Sequence, residues 1–293
     1  MPAPHCFVCG GGEFGHLTRE YRRCCRCGHE ELVASSAQSF IVNDVLSAAA
    51  VRRPSFLDRF QGAVLQRWSP TNRGRLVDVG SGAGKFLHHY GRAFREAYGI
   101  EITPEVVNFS RNTLGLKIVA DIREVDGAID AVTAWHSLEH FPSSALTALL
   151  SALAEKLALE GRIIVSVPNA DSFQYHLFRR HYAFFDVPSH LHQFTPASLS
   201  ALFAHHGFVR TRAAISWPYN VFGYAQALLN CVIRPHNYFY YRVKRGRTRS
   251  VARDLATAVL LPLALPLAIV GGCWDAVFPA RQGVLTWCFQ KRP

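Results

Sequence analysis

The order of elements predicts an α/β protein built on an open, mostly parallel sheet, with a small cysteine module ahead of it and an apolar insertion near its end. Three observations carry this expectation. An apolar strand over Arg75 to Val79 runs into glycines at 80, 82 and 84 and then into a helix with Phe86, Tyr90 and Phe94 on one face. Two C-x-x-C pairs stand near the N-terminus. A long apolar stretch separates the last two predicted strands. Strand, glycine turn and helix is how such a sheet cradles a nucleotide-like ligand, because glycine lets the backbone approach and a helix start offers free N–H groups.

The chain has 293 residues, 49% of them hydrophobic, enough for a sizeable core. The formal charge is +11 and unevenly spread: from Val187 to Arg253 there are nine Lys or Arg and no Asp or Glu. That asymmetry points to an anionic partner surface, membrane or nucleic acid. The N-terminus has no apolar core of a secretory signal, so a cytoplasmic location is expected.

Taken in order, residues 1–33 read as a zinc-binding module. Cys6-x-x-Cys9-Gly and Cys24-x-x-Cys27-Gly are separated by fourteen residues, and two such knuckles can present four thiolates to one structural zinc. Cys25 is left over. Disulfides do not fit a chain without a secretion signal, and a redox C-x-x-C would open a helix in a thioredoxin-like unit. Four thiolates leave no open position for catalysis. Cys231, Cys273 and Cys288 lie in apolar sequence and read as packing residues. Residues 34–70 carry two predicted helices, one over Asn43 to Val51 and one from after Arg53-Pro54-Ser55 to about Trp68.

The sheet domain occupies 71–293. Its second strand, Glu96 to Ile102, ends at Glu101; its third, Leu116 to Ala120, is followed by Asp121. Asp130 opens a fourth, Ile129 to Trp135, which runs into His136-Ser137-Leu138-Glu139-His140-Phe141-Pro142. A helix follows over Ser144 to Leu159, with a leucine stripe at 146, 149, 150, 153 and 157 and Gly161 as its stop. The fifth strand, Arg162 to Val167, leads into Pro168-Asn169-Ala170-Asp171, the end of a strand where open α/β sheets bind ligands. Thr195 then caps a helix over Pro196 to His206 that Gly207 ends.

A dinucleotide fingerprint would place its third glycine at Lys85. The G-x-G-x-G here, after a strand carrying Asp78, instead resembles motif I of the class I S-adenosylmethionine (SAM)-dependent methyltransferases. The run Leu138-Glu139-His140 resembles the "LEH" motif of the ubiquinone-type O-methyltransferase branch. Phe184 to Thr195 resembles the D-x-P-R-H-L-Y-H-F-T stretch of a bacterial group of zinc-ribbon methyltransferases associated with envelope polysaccharide. Ser189 stands where that group has Arg, His192 where it has Tyr and Gln193 where it has the second His. Any contact that Arg makes to an acidic substrate is therefore not carried over.

The resemblance implies a Rossmann-like, seven-stranded methyltransferase sheet, with part of 34–70 serving as a lid over SAM or as a brace for the sheet. It implies that Asp78 holds the ammonium group of SAM and that Glu101 accepts from the ribose hydroxyls. Asp121 would meet the adenine amino group, with Gly80, Ser81, Gly82, Gly84, Ile102, Ile122 and His136 completing the cofactor site. Methyl transfer needs an aligned acceptor, and a hydroxyl acceptor also needs a base, for which histidine suits neutral pH. His136, His140, His190 and His192 are the candidates on the loops after strands four and five.

Strands six (Phe208 to Ser216) and seven (Gly283 to Gln290) normally form a hairpin in this fold, yet 66 residues, 217–282, lie between them. This insertion has an aromatic run, then a basic cluster of Arg242, Lys244, Arg245, Arg247, Arg249 and Arg253. Next come Ala256 to Phe278, whose one charge is Asp275. Pro262, Pro266, Gly271 and Gly272 predict a broken helical pair, and a single membrane span would leave strand seven on the wrong side. An interfacial pair beside anionic lipid is one expectation; a buried pair or a dimer interface is the other.

The expected function is SAM-dependent methylation of a hydroxyl on a lipid-linked, glycan or other small-molecule acceptor at the inner face of the cell membrane. The alternatives are an rRNA or tRNA base methyltransferase, which the basic charge would suit, and a SAM-binding protein without activity.

Overall fold

The computed structural model describes residues 5–16, 21–33, 46–245 and 250–292. The linker over 34–45, which includes the start of the helix expected from Asn43, and Arg247 and Arg249 of the basic cluster lie outside the described residues.

The N-terminal module is a small antiparallel sheet of β1 (Phe14–His16), β2 (Tyr21–Cys24) and β3 (Glu30–Leu32). Helices α1 (Ala48–Arg52) and α2 (Phe56–Trp68) follow, and Ser55 and Asp58 form a capping box that fixes the start of α2. The main domain then alternates β4 (Arg75–Val79), α3 (Lys85–Tyr90), β5 (Glu96–Ile100), α4 (Pro104–Leu114), β6 (Lys117–Val119), β7 (Ile129–Trp135), α5 (Ser143–Lys156), β8 (Leu157–Pro168) and α6 (Phe173–Phe178). It continues through β9 (His192–Gln193), α7 (Pro196–His205), β10 (Phe208–Ala214), α8 (Trp217–Val232), α9 (Tyr238–Arg245), α10 (Val251–Val277) and β11 (Val284–Lys291).

The expected seven-stranded sheet has the order β10-β11-β8-β7-β4-β5-β6. β11 runs antiparallel to both its neighbours, and the five strands from β8 to β6 are parallel. Period-2 alternation sorts its side chains onto two faces. Val77, Ile163 and Trp287 pack with leucines of α5 and α7, whereas Leu76, Ile164 and Cys288 pack with α2 and α3. Helices therefore cover both faces, as a parallel sheet requires.

Several expectations are corrected. Helix α3 stops at Tyr90, and Phe94 reaches the same apolar cluster from beyond it. Gly161 does not end a helix: α5 stops at Lys156, and Gly161 lies in the long strand β8, whose register against β7 shifts between the Ile129↔Leu157 and Ala131↔Arg162 pairs. The extra residues bulge out of the ladder there. Cys288 is buried, but Cys231 and Cys273 are exposed.

The largest correction concerns the insertion. Pro262 and Pro266 do not split it: α10 is one 27-residue helix. It packs antiparallel along α8, where Gly271 meets Tyr224 and Gly272 meets Val221, and a β-carbon at either glycine would lie under 3 Å from those side chains. The fully buried Asp275 carboxylate anchors the far end, accepting from Gln174 Nε2 at 3.0 Å, Gly283 N at 3.1 Å and Tyr224 Oη at 3.1 Å. Asp275→Ala should strand these donors and lower stability by about 3 kcal/mol, read as a fall in the urea midpoint; a loss below about 0.5 kcal/mol would remove Asp275 from this role.

Candidate functional site

β4 and β7 pair in parallel, with Asp78 opposite Thr133, so their carboxyl ends stop side by side. The turn after β4 then lies on the turn after β7. Gly80 has φ +69°, and a β-carbon there would meet the Ser137 β-carbon at 2.5 Å. Gly84 has φ +75° and is equally closed off, by Leu116 Cδ1 at 2.3 Å. These positions need glycine for both conformation and space.

Asp78 is buried beneath this loop and accepts from Thr133 Oγ1 at 2.6 Å. Burial pushes its carboxyl up to about 7, against a smaller lowering by the Thr133 hydrogen bond. Glu101 follows β5 and is tied to the loop: it accepts from Gly82 N at 3.1 Å, Ile102 N at 2.8 Å and Thr103 N at 2.9 Å. Ile102 is exposed and Ile122 buried. Asp121 caps a short 3-10 turn, accepting from Arg123 N at 2.8 Å and pairing with the Arg123 guanidinium at 3.2 Å. Ser81 Oγ, Ser137 Oγ and Trp135 Nε1 are buried around the loop without partners. Unpaired polar groups concentrated beside a glycine turn fit a polar ligand seated there.

The histidines divide. His136 follows β7 with φ +51°, a left-handed conformation that costs a non-glycine residue energy and clusters at functional sites. Its ring stacks on Phe184 (5.7 Å between centroids) and leans on Tyr219 of α8 (4.6 Å). Tyr219 accepts from Gln61 of α2. Asp58, one turn earlier in α2, pairs with Lys85 at 2.7 Å, so α2 both braces α3 and borders the glycine loop.

Sequence reasoning missed Glu139. It is fully buried, its Oε1 is 3.5 Å from His136 Nδ1, and neither oxygen has a hydrogen-bond partner. Burial alone would raise its carboxyl, but the His136 ring, with His190 and His140, holds it below the usual carboxylate range. His140 Nδ1 donates to Ser189 O at 2.8 Å, and its ring meets His190 edge-on at 4.6 Å. Burial pushes His190 down to about 4, which keeps it neutral near pH 7. Ligand atoms of Glu139, His140 and His190 lie within 4.8 Å of one another, so this group could also hold a metal ion. The signal in the sequence was an acid three residues after His136, inside the "LEH" run.

His192 is not brought to this cluster. Its Nδ1 is 3.1 Å from His29 Nε2, and its ring lies against Phe7 and Phe194 in the seam with the N-terminal module. That seam is a continuous clamp. β3 pairs with β9, Leu32 N donates to Leu191 O at 2.9 Å, Tyr21 Oη donates to His190 O, and Thr195 Oγ1 donates to Cys27 O at 2.9 Å. From the other side, Leu191 N donates to Glu139 O at 2.8 Å. The His190 loop is thus held between the cysteine module and the turn bearing Glu139.

In the module, Sγ atoms of Cys6 and Cys27 are 3.8 Å apart and those of Cys9 and Cys24 3.5 Å, and all four lie within 4.8 Å of one another. These separations exclude disulfides. Four sulfurs about 2.3 Å from a central ion stand about 3.8 Å apart in a tetrahedron, so the donor set fits zinc.

A family model described as "Methyltransferase domain" matches residues 53–212, a span that takes in α2 as well as the sheet to β10. The chain is 31% identical over 105 residues to the ubiquinone biosynthesis O-methyltransferase of Xanthomonas oryzae pv. oryzae, covering 32% of this chain and 43% of that protein. It is 29% identical over 154 residues to the protein of the same name from Xylella fastidiosa, covering 47% and 62%. The match thus spans less than two thirds of the length of either relative. Among solved structures, mycolic acid cyclopropane synthase CmaA1 complexed with SAH and CTAB superposes with TM-score 0.50 at 15% identity over 80% of this chain and 84% of that one. The complex between the Haloferax volcanii Trm112 methyltransferase activator and a putative methyltransferase gives TM-score 0.50 at 14% identity over 84% and 92%. At such identities the likeness is one of fold.

Proposed function

This chain belongs to the methyltransferase domain family, and on that premise we propose that it transfers the methyl group of SAM to a hydroxyl of a lipid-linked, glycan or other small-molecule acceptor. The observation that carries the reading is the contact of the Gly80 turn with Ser137, which sets His136 and Glu139 beside the loop that would hold SAM. Asp78 would take the ammonium group, Glu101 the ribose hydroxyls, and Asp121 with Ile102 and Ile122 the adenine. SAM supplies an activated methyl carbon with a neutral thioether as leaving group. The ubiquinone biosynthesis O-methyltransferases, similar over part of this chain, support a small-molecule hydroxyl as acceptor.

His136 is the best placed base. Glu139 Oε1, 3.5 Å from Nδ1, favours the tautomer that carries its proton on Nδ1; Nε2, buried and without a partner, then presents its lone pair. As the acceptor oxygen bonds to the methyl carbon and the carbon–sulfur pair leaves with sulfur, the hydroxyl proton passes to His136 Nε2, and Glu139 stabilises the resulting imidazolium. His190 is a poor base by comparison, since burial disfavours its protonation.

Zinc belongs to the same proposal. Cys6, Cys9, Cys24 and Cys27 would hold one ion, and its role is structural: it closes the module that clamps the His190 loop.

Four outcomes are expected. Calorimetric titration should show SAM binding and no NAD binding; NAD binding alone would sink the reading. Asp78 must ionise to hold an ammonium group, and its carboxyl stands at about 7 in the free protein. SAM affinity should therefore rise with pH up to about 7, level off above it, and lose this dependence in Asp78→Asn.

With methyl-labelled SAM and extract of the producing cells, His136→Gln should lower label transfer by about 10²–10⁴-fold. The variant should still bind SAM, at the cost of any contact His136 makes to it; transfer at the wild-type rate would assign the base elsewhere.

Elemental analysis should find about one zinc per chain, falling sharply in Cys24→Ser. Unaltered zinc in that variant would refute the assignment.

A further inference from the structure

Among the described residues, α10 is the one helix long and apolar enough to cross a membrane, yet only 22% of its most apolar window is buried. Its inner edge, including Thr257, Ala264, Ala268 and Asp275, is buried, and Gly271 and Gly272 pack on α8. Its outer edge is a stripe of Leu255, Val259, Leu263, Leu267, Val270 and Trp274, each more than half exposed. No charged residue occurs from Ala256 to Trp274. A continuous exposed apolar face of this length is rare on a protein that meets only water.

The way α10 is held separates lying on a membrane from crossing one. Both its ends are fastened to the same domain. Asp254 accepts from Tyr238 Oη at 2.8 Å near the start, and Asp275 binds Gln174, Tyr224 and Gly283 near the end. α8, its support, is itself tied inward through Asn220 to Gln282 and through Asn230 to His181 O. β11 enters the central sheet seven residues after α10 ends. A span would carry one end of α10 across the bilayer and break the contacts that fasten that end.

Charge chooses the occupant. Arg242, Lys244, Arg245, Arg247, Arg249 and Arg253 precede or open α10, and no acid lies between Arg242 and Arg253. Arg242 already pairs with Asp254 at 3.6 Å; from Leu255 to Trp274 a second copy laid stripe against stripe would offer the other cations no anion, whereas an acidic leaflet offers both hydrocarbon and negative headgroups.

We propose that the outer face of α10 is a membrane-docking surface that lies in the plane of an anionic leaflet, the inner face of the cell membrane. Trp274 sits at one end of the stripe, where an indole suits the headgroup level. The docked face reaches the site through α8. Trp217 and Val221 support Gly272, and Tyr219 of the same helix touches His136. Resting on the methyl-transfer reading above, this geometry favours an acceptor carried by the membrane; the docking itself does not depend on that reading.

The test is flotation of the full chain with vesicles of phosphatidylcholine alone or with about 30% phosphatidylglycerol, at about 0.1 M and 0.5 M salt. Val259→Asp/Leu263→Asp/Val270→Asp serves as the variant, with folding and SAM affinity measured on the same samples. These side chains face away from α8, so the variant should fold and bind SAM as wild type does.

Wild type should float with the anionic vesicles, lose about tenfold in binding at the higher salt, and retain the rest. The variant should lose about tenfold or more at either salt. Docking is overturned if folded wild type stays unbound, or if the variant floats equally well. It is also overturned if light scattering shows a dimer that the variant dissolves, since a second copy would then cover the face. Preferential binding of structured RNA, lost when Arg242 and Arg253 become Ala, would replace the leaflet with nucleic acid. Loss of SAM binding with flotation intact would count against the methyltransferase reading alone.

Discussion

The parallel pairing of β4 with β7 is the constraint on which the site depends. Asp78 opposite Thr133 ends both strands at one level, and the turns that follow must share the same small volume. Glycine at position 80 makes that possible, because any side chain there would collide with Ser137. Once the turns touch, the ligand loop and the His136–Glu139 pair are neighbours although about sixty residues separate them in the chain. Glu101 reinforces the arrangement from β5 by accepting from Gly82 N.

Around this pair the protein assembles groups from distant places. α2 contributes Gln61 and α8 contributes Tyr219, and the two meet against His136. The loop carrying His190 would be exposed on a bare sheet. Here it is held by backbone pairing to β3 and by hydrogen bonds to Tyr21 and Cys27. The cysteine module is therefore part of the wall of the site. This clamp also explains His192, whose side chain points into the seam with His29 and is buried there.

The insertion shows packing overriding local preference. A proline inside a helix removes a hydrogen bond and crowds the preceding turn, at a cost of about 3 kcal/mol. Pro262 and Pro266 are nonetheless accommodated, because α10 is supported along its length by α8 and pinned at both ends. The small residues that suggested a break, Gly271 and Gly272, instead let α10 approach Tyr224 and Val221 closely.

By itself the sequence determined what depends on near neighbours in the chain. Strands Arg75–Val79 and Ile129–Trp135 were legible to the residue from their apolar runs and flanking turns. The start of α7 was legible from Thr195 and Pro196, and the cysteine cluster from the spacing of its two pairs. The tertiary structure alone decided what depends on approach through space. It brought His190 to Glu139, took His192 out of the cluster, drew Gly161 into a bulged strand and kept α10 whole. Periodicity and turn chemistry report the conformational preferences of a few adjacent residues. The partners of the Asp275 carboxylate, Gln174 and Tyr224, and the helix that props α10 lie far along the chain and leave no such local trace.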